Sequence, residues 1–403
     1  MDAKEFLQAA QAQKEQIIAH RRSLHRNPET GSHLPKTCAY VREQLEAMGC
    51  EVRDICPGGL LATISGELPG SCFLLRADMD ALAITEETDL PFKSQNGAMH
   101  ACGHDMHTAM LLGAAALLQQ FRSRLRGTVK LVFQPDEEGF TGAKAMLAGG
   151  VLENPAPGGA LALHVHSGTP TGTVLWREDT VMAGCTVFSI EVEGIGCHGA
   201  TPETGVDPIN IAVHIYTALQ AMLSREVPPK SPVSLTFGQF NAGHAPNVIP
   251  QTAVLRGTLR CFDQKLTETL LKRIRVLSSS IAQGFRGKAR VEVHAQVPPL
   301  INDPKLTEEM VKNVRMLLGE TSLFRMPEGG MGSEDFAAFS QALPCTYLLL
   351  GAGSREEDPA FGQPMHNSKV MFNEDMLPIG AALEAWCAME WLNAHSSHPR
   401  GSL

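Results

Sequence analysis

A cysteine and a histidine lie two residues apart within the segment 99–108, and a carboxylate follows them directly. The thiolate of Cys102 and the imidazole of His104 are ligands that late first-row divalent metals prefer. About thirty residues later, Glu137 and Glu138 supply two adjacent carboxylates. A thiol, histidines and paired glutamates together indicate hydrolysis by a metal-bound water more than a structural zinc site.

An alternative for the cysteine and histidine is simple core packing, because free cysteine is commonly buried. The neighbours of Cys102 and His104 argue against this alternative. They are His100, Asp105 and His107, with glycine between them. This is a poor composition for an apolar core, so the segment predicts metal ligation.

The glutamate pair follows a predicted strand and Pro135, and its alternative is an exposed acidic turn, which Asp136 would extend. Adjacent residues leaving a strand point in different directions. One glutamate can therefore bind a metal while its neighbour faces the attacking water. The free carboxylate would take a proton from that water and hand it to the leaving nitrogen.

Other candidates remain open on the residues alone. Asp78 and Asp80 end a predicted strand, where a carboxylate could orient a ligating histidine or cap a loop. His164 ends an apolar strand and could supply a ligand, as could His166. His366 follows a loop rich in glycine and proline, where a single histidine is most often exposed.

The elements that must position these residues alternate between strands and helices. Apolar strands are predicted at 73–75, 128–133 and 160–165, with a buried helix at 109–121. After residue 300 the same rhythm returns, with helices at 307–318 and 378–393 around a strand at 346–350. Such alternation predicts an α/β layer fold, in which chemistry gathers at strand ends. The polar tail from Ser396 is predicted to be disordered.

Between Cys185 and Pro298 the pattern changes to strand, helix, two strands, helix and strand. The alternating and helical spacings predict these elements at 188–192, 208–223, 233–240, 252–262, 266–281 and 291–297. This order is that of a ferredoxin-like unit. We expect an α/β/α catalytic domain formed by 1–183 and 299–403, with 184–298 inserted as a lid or dimerisation domain.

The inserted unit carries further candidates for chemistry. His198 lies in a glycine-rich loop at 194–200, and Arg256 and Arg260 share one strand face with Thr258. A guanidinium binds a carboxylate through two hydrogen bonds, which suits recognition of a carboxylate-bearing substrate. The alternative is a solvated sheet face.

Composition narrows the class of protein. The chain has 403 residues, 43% of them hydrophobic and 19% charged, with a net charge of −9. These values predict a globular protein with no affinity for nucleic acid. We also expect no membrane span and no signal peptide in residues 1–22. Ten cysteines without paired spacing predict reduced thiols and a cytoplasmic protein.

Taken together, these residues resemble the aminoacylase/carboxypeptidase family of metal-dependent amidohydrolases. The resemblance is strongest to the subgroup of indoleacetyl–amino acid hydrolases, hippurate hydrolases and N-acetyl-diaminopimelate deacetylases. It covers nearly the whole chain, in order. The segments that carry it are HRNPE at 25–29, RADMDAL at 76–82, HACGHDMHT at 100–108, QPDEEG at 134–139, ALHV at 162–165, HGATPETGVDP at 198–208, APNVIP at 245–250, GTLRCF at 257–262, MGSEDF at 331–336 and MHNS at 365–368.

The resemblance implies roles for single residues. It implies a site for two divalent ions (zinc, manganese, cobalt or nickel) with Glu137 as general base and acid and Asp80 as an orienting carboxylate. The lid histidine, His198, would stabilise the oxyanion, often across a dimer interface. Asn247 and an arginine of the GTLR strand would hold the substrate carboxylate. The implied metal ligands are Cys102, His104, Glu138, His164 and His366.

The chain departs from the subgroup pattern at a few positions, chiefly at Glu203, where a second lid histidine is usual. A carboxylate there would disfavour acidic substrates or attract an amine. The expected activity is cleavage of an N-acyl amino acid, or a short peptide, to a carboxylate and a free amino acid by a homodimer. The alternatives are a carboxypeptidase or dipeptidase acting on unblocked peptides, and a non-catalytic metal-binding protein on the same fold.

Overall fold

The computed structural model describes residues 2–395, so the tail from Ser396 lies outside the described residues. The chain forms two compact units. The first comprises 2–181, 301–329 and 335–395, and the second comprises 182–300 and 330–334. The assignment of a catalytic role to one unit and a lid role to the other stays a prediction.

The helices and strands follow one another along the chain in three stretches. The first holds α1 (Ala3–Ala12), α2 (Lys14–Arg26), α3 (Pro35–Ala47), β1 (Glu51–Cys56), β2 (Gly59–Ser65), β3 (Leu68–Asp78), α4 (His104–Gln120), β4 (Arg126–Gln134), α5 (Gly142–Ala148), β5 (Ala160–His166), β6 (Val174–Trp176) and β7 (Asp179–Met182). The second holds β8 (Gly184–Glu193), β9 (Cys197–His198), α6 (Pro208–Glu226), β10 (Val233–Ala242), β11 (Val248–Ile249), β12 (Thr252–Cys261), α7 (Gln264–Gly284) and β13 (Lys288–Val297). The third holds β14 (Leu300–Asn302), α8 (Pro304–Leu318), β15 (Leu323–Arg325), α9 (Ala337–Ser340), β16 (Cys345–Gly351) and α10 (Leu377–Ala394).

The first unit is built on an eight-stranded mixed sheet in the order β1-β2-β4-β3-β5-β16-β6-β15. Its central strands β4, β3, β5 and β16 run parallel to one another. Parallel neighbours bring their carboxyl ends to one edge of the sheet. Asp80, Glu137 and Glu138 directly follow the ends of β3 and β4, and His164 lies near the end of β5, so the topology gathers these four predicted site residues at that edge.

Two apolar helices, α4 and α10, form much of the core of the first unit. Both are buried nearly all round, which is why their sequences show no polar face. They pack closely because Gly380 has no side chain: a Cβ atom there would lie 2.0 Å from Sδ of Met110. Trp386 is fully buried on α10, and its indole N–H donates to the Asn313 carbonyl (3.0 Å).

The second unit is a four-stranded antiparallel sheet in the order β10-β12-β8-β13, packed against α6 and α7. Its element order, β8-α6-β10-β12-α7-β13, is the predicted ferredoxin-like one, and the predicted α/β fold class is confirmed. Helix α6 begins as expected, with Pro208 in its first turn and the Asp207 carboxylate accepting from the backbone N–H groups of Ile209 and Asn210.

One helix boundary differs from the prediction in a way that matters for the site. The helix predicted at 109–121 begins five residues earlier, at His104, directly after Gly103 in a left-handed conformation (φ 82°). Apolar spacing missed this first turn because its residues include buried polar side chains. His104 and His107 therefore lie one helical turn apart on the same face.

Among residues 2–395, no helix combines the length and the apolar character that a membrane span needs.

Candidate metal centre

Cys102, His104 and Glu138 form a cluster whose ligand atoms all lie within 4.8 Å of one another. Cys102 precedes α4, and Glu138 follows the end of β4. The turn between Cys102 and His104 needs glycine at position 103 for two reasons. Its φ is positive, and a Cβ atom there would lie 2.3 Å from a methyl group of Val165.

The imidazole of His104 is prepared to act as a ligand. Its Nδ1 donates to the backbone carbonyl of Asp80 (2.8 Å), so Nε2 is free to carry a lone pair. The ring is 1% exposed, and among the described residues no hydrogen-bond partner is found for Nε2. A buried nitrogen with this geometry, beside a thiol and a carboxylate, fits a divalent metal.

The electrostatic surroundings of His104 favour a cation. Burial alone would lower the pKa of His104, but the carboxylates of Asp78 and Asp80 outweigh it and raise that pKa well above its usual value. Without a metal, the site therefore attracts a proton to this ring. A divalent ion would satisfy the same negative charge and displace that proton.

His164 brings a second imidazole to the thiol of Cys102. Its Nδ1 donates to the Val165 carbonyl (2.7 Å), and its Nε2 lies 3.6 Å from Sγ of Cys102. Burial, helped by nearby His107, holds the pKa of His164 well below its usual value, so this ring is neutral. A neutral imidazole is the form that binds a metal.

His366 brings a third imidazole from the loop between β16 and α10. Its Nε2 lies 3.2 Å from Sγ of Cys102 and 3.2 Å from Oε1 of Glu138. Its backbone is in the left-handed region (φ 64°), and its N–H donates to the Ala101 carbonyl (2.9 Å). Hydrogen bonding to Cys102 and Glu138 raises the pKa of His366 to about 10. All five residues expected as ligands thus meet in one cluster, and their role as ligands stays a prediction.

The two glutamates lie in a tight turn that Asp80 holds. Residues at both ends of the turn, Asp136 (φ 50°) and Phe140 (φ 58°), adopt left-handed backbone conformations. Oδ1 of Asp80 accepts from the backbone N–H of Glu137 (3.0 Å), and Oδ2 accepts from that of Glu138 (3.2 Å). The Asp80 carboxylate thus orients the glutamate turn, while its backbone carbonyl orients His104.

Glu137 is buried, with 5% of its surface exposed. Its Oε1 accepts from the backbone N–H of Asp335 (3.4 Å), and its Oε2 lies 3.9 Å from Nε2 of His104. Glu137 and Glu138 therefore approach the cluster through different neighbours. Glu138 lies in the cluster with Cys102 and His104, and the separate roles expected for the two glutamates stay predictions.

A buried network behind the cluster was not anticipated from the sequence. Nη1 of Arg76 donates to Oδ2 of Asp78 (2.7 Å), and Oδ1 of Asp78 accepts from Nδ1 of His107 (2.5 Å). Nη2 of Arg76 also donates to Asp335 (3.1 Å), which accepts from Gln134 as well (2.7 Å). The motifs RADMDAL, HACGHDMHT, QPDEEG and MGSEDF contain these residues, but the pairing between positions 76 and 335 has no local signal.

The first turn of α4 is held from its other side by α2. Oδ2 of Asp105 accepts from Nε of Arg21 (2.9 Å) and from Nδ1 of His25 (2.8 Å). Nε2 of His25 lies 3.1 Å from the carboxylate of Glu86. Burial alone would raise the pKa of Asp105, but Arg21 and His25 outweigh it and hold that pKa well below its usual range. Helix α4 therefore presents His104 from a rigid base.

The remaining predicted residues lie in the second unit. His198 pairs with Val248 across the short β9–β11 ribbon, and the Asn247 carbonyl accepts from the Gly199 N–H (2.8 Å). These loops bring His198 and Asn247 near each other. The ring of His198 is exposed, and its Nδ1 accepts from the Ala200 N–H (3.0 Å).

The two arginines lie on the open face of β12, as expected from their spacing. Alternate residues of this strand, such as Leu255 and Leu259, are buried against the helices. Arg256 is exposed, whereas Arg260 donates to the hydroxyl of Ser333 (2.7 Å). Glu203 is exposed in a short helical turn at Pro202–Thr204.

The chain belongs to the peptidase family M20/M25/M40, whose model matches residues 74–389. The resemblance to metal-dependent amidohydrolases seen in the sequence is thereby confirmed. The matched range contains every predicted site residue. The family and its named relatives identify the chain as a hydrolytic enzyme, so the non-catalytic alternative is set aside.

Three similar proteins illustrate the family. The chain is 36% identical over 383 residues to thermostable carboxypeptidase 1 of Saccharolobus solfataricus, covering 94% of this chain and 95% of the relative. It is 36% identical over 355 residues to N-acetyl-L-cysteine deacetylase of Bacillus subtilis, covering 86% and 83%. It also superposes on the crystal structure of Bacillus subtilis YXEP, described as a dinuclear metal-binding peptidase, with a TM-score of 0.80, 30% identity and 95% and 99% coverage.

Proposed function

We propose that this protein is an amidohydrolase that uses two divalent ions to cleave N-acyl amino acids to a carboxylate and a free amino acid. The observation that carries the proposal is the convergence of three imidazole Nε2 atoms, one thiol and one carboxylate beside a second, separately held glutamate. A similar crystal structure is described as dinuclear, which supports a pair of ions here too.

The proposed ligands contribute nitrogen, sulfur and oxygen atoms in one cluster, which is mostly buried except at His366, whose side chain is 50% exposed. This mixed set suits zinc, manganese, cobalt and nickel. The ligands are Cys102, His104, Glu138, His164 and His366. When bound, such ions lower the pKa of a water molecule and polarise the amide carbonyl.

In this proposal Glu137 moves the proton. Its carboxylate accepts a proton from the attacking water and then donates it to the leaving nitrogen. The buried turn held by Asp80 supports this role, because it fixes the backbone of Glu137 and leaves its carboxylate beside His104. A purely structural metal site would have no use for such a neighbouring base.

A substitution at Glu137 tests the mechanism. Glu137→Gln keeps the size of the side chain but removes the proton acceptor, so it should bind metal normally and show almost no amidase activity. Asp136→Asn is a matched control because it neutralises the adjacent carboxylate and asparagine tolerates the same left-handed backbone. Substantial activity in metal-loaded Glu137→Gln would contradict the proposed role.

We also propose that the second unit recognises the substrate carboxylate. His198 would stabilise the oxyanion, and Asn247 with Arg256 or Arg260 would bind the carboxylate. The shared open face of the two arginines and the nearness of His198 to Asn247 support this assignment. Glu203, exposed in the same unit, would disfavour acidic side chains on the substrate or attract an amine.

Cleavage of unblocked peptides is the second candidate, favoured by the similarity to a thermostable carboxypeptidase. The similarity to N-acetyl-L-cysteine deacetylase favours N-acyl substrates instead. Comparing N-acetyl amino acids with dipeptides of the same C-terminal residue, under several metals, separates the two activities. Faster turnover of every dipeptide would replace the first candidate with the second.

We further propose a homodimer formed through the second unit. Helix α6 carries an exposed apolar stripe at Ile209, Val213 and Tyr216, with exposed fractions of 38%, 47% and 41%. A stripe of this kind marks an interaction surface.

We also propose a cytoplasmic location, since all ten cysteines, which lie within the described residues, are free thiols.

A further inference from the structure

His107 lies beside the proposed metal centre, and its two ring nitrogens are both engaged elsewhere. Its Nδ1 lies 2.5 Å from Oδ1 of Asp78, and its Nε2 lies 2.8 Å from the backbone nitrogen of Val165. The peptide N–H of Val165 can only donate, so Nε2 of His107 must accept. Nδ1 therefore carries the proton and donates it to Asp78.

These two hydrogen bonds leave His107 no free nitrogen for a metal, although the residue lies among side chains that could bind one. Asp78, His104, His107 and His164 bring potential ligand atoms within 4.8 Å of one another. However, the lone pair of His107 points at a peptide N–H, and both carboxylate oxygens of Asp78 accept hydrogen bonds. Binding a metal here would break a buried, charge-assisted interaction of Asp78 or leave a buried N–H without an acceptor.

The bond to Val165 replaces a missing sheet hydrogen bond. Strands β3 and β5 pair as far as Arg76 opposite Ala162, and β3 ends at Asp78. The next backbone carbonyl of β3, that of Asp78, accepts from the hydroxyl of Thr108 instead of from β5. The ring of His107 thus supplies the acceptor that β3 no longer offers to the end of β5.

The residue that this bond fixes is next to His164. The peptide N–H of Val165 follows His164 directly, and the carbonyl of Val165 accepts from Nδ1 of the His164 ring. Both contacts set the position of that ring, whose Nε2 faces Sγ of Cys102 (3.6 Å). Arg76, donating to Asp78, anchors the far end of the chain of contacts.

We propose that His107 is a positioning residue: it holds the end of β5 so that His164 faces the metal centre, and it does not itself bind metal. This inference rests on the proposed metal site. It predicts that the acceptor at Nε2 matters more than the donor at Nδ1, since Nε2 is the atom that contacts the strand bearing His164.

Two substitutions separate the two ring nitrogens. The Oε1 atom of glutamine in His107→Gln can replace Nε2 as the acceptor for Val165. The shorter amide of His107→Asn can replace only Nδ1 as the donor to Asp78. His20→Asn is the control, since His20 is a buried histidine that contacts Tyr40 and lies outside this chain of contacts.

The test titrates metal-free protein with Co²⁺ and records visible absorption, with a competing chelator to measure affinity. We expect His107→Asn to weaken Co²⁺ binding by about 10–100-fold, the usual effect of losing a residue that orients a ligand, and to alter the spectrum. His107→Gln should keep most of the affinity and the wild-type spectrum, as should the His20→Asn control. Equal losses in the Gln and Asn variants would identify His107 as a ligand, and no change in either would remove its positioning role.

A second measurement needs no variant to fold. In protein labelled with ¹⁵N-histidine, His107 should show the Nδ1-protonated tautomer before and after addition of Zn²⁺, whereas Nε2 of His164 should shift. A metal-induced shift at His107 would overturn the inference. If the wild-type protein takes up no Co²⁺ or Zn²⁺ at all, it is the proposed metal site that fails.

Discussion

Replacing Asp80 should disable the enzyme without removing any proposed ligand. The two carboxylate oxygens of Asp80 accept from the N–H groups of Glu137 and Glu138 at 3.0 and 3.2 Å. Hydrogen bonds to a charged group contribute about 1.5–3 kcal/mol each. Asp80→Ala therefore withdraws about 3–6 kcal/mol of support from the turn that aims the proposed base and one ligand.

Part of that loss should appear in catalysis and part in stability. We expect kcat of Asp80→Ala to fall by about 10–100-fold, which is the usual effect of removing a carboxylate that orients a ligand. The fall should persist at saturating metal, because Glu137 stays misaligned even when the ions are bound. Asp80→Asn, which keeps one acceptor oxygen, should lie between Asp80→Ala and the wild type.

The assay is steady-state hydrolysis of an N-acetyl amino acid at increasing metal concentration, with thermal unfolding measured in parallel. Asp54→Ala is the control. The side chain of Asp54 is 78% exposed, and within residues 2–395 its ion pair is with Arg42, away from the proposed metal centre. If Asp80→Ala keeps the wild-type kcat once metal is saturating, the orienting role of this carboxylate is refuted. Restoration of kcat by metal alone would assign Asp80 to metal affinity instead.

Three further predictions concern stability, assembly and substrate binding. Burial raises the pKa of Glu384 well above its usual value, so the folded state holds a proton that the unfolded state releases above about pH 4.5. The free energy of unfolding of the wild type should therefore fall as pH rises from there, by at most about 1.4 kcal/mol per pH unit. Glu384→Gln, which has no such proton to lose, should not show this fall. Denaturant unfolding of the wild type and Glu384→Gln at pH 5 and pH 8 checks this prediction. If the two proteins differ in free energy of unfolding by the same amount at both pH values, the prediction is wrong. Val213→Glu should convert a wild-type dimer into monomers in light scattering and, if His198 acts across the interface, abolish activity; a fully active monomeric wild type would exclude that role. Arg256→Gln or Arg260→Gln should lower kcat/KM by about 10–100-fold for substrates with a free carboxylate and change it little for the corresponding amides, and identical effects on both substrates would argue against carboxylate recognition.

Local sequence signals predicted the fold class and part of the cluster, and the family resemblance supplied the rest. Apolar alternation located the strands, because a half-buried strand shows its period directly in the residues. The spacing of Cys102 and His104 suggested a shared metal from the sequence alone. His164 and His366 were undecided on the residues, and only the family resemblance selected them as ligands. The structure brings both within 3.6 Å of Sγ of Cys102.

The supporting contacts could not be predicted, because they join distant parts of the chain. Nothing near Arg76 in the sequence indicates that its guanidinium contacts Asp335. The start of α4 at His104 was also missed, since hydrophobic spacing does not detect a helical turn whose buried side chains are polar. That turn carries His107, whose Nε2 accepts from the Val165 N–H at the end of β5. The sequence does not show that this N–H lacks a partner in β3.

We propose that activity requires two divalent ions per chain. Metal-free protein should be titrated with Zn²⁺ or Mn²⁺ while bound metal and hydrolysis of an N-acyl amino acid are measured in the same samples. Activity should rise until two ions are bound per chain, and His366→Ala, which lacks one proposed ligand, should never reach this occupancy. Saturation at a single ion with full activity, or two bound ions with no hydrolysis of any N-acyl amino acid or peptide, would contradict it.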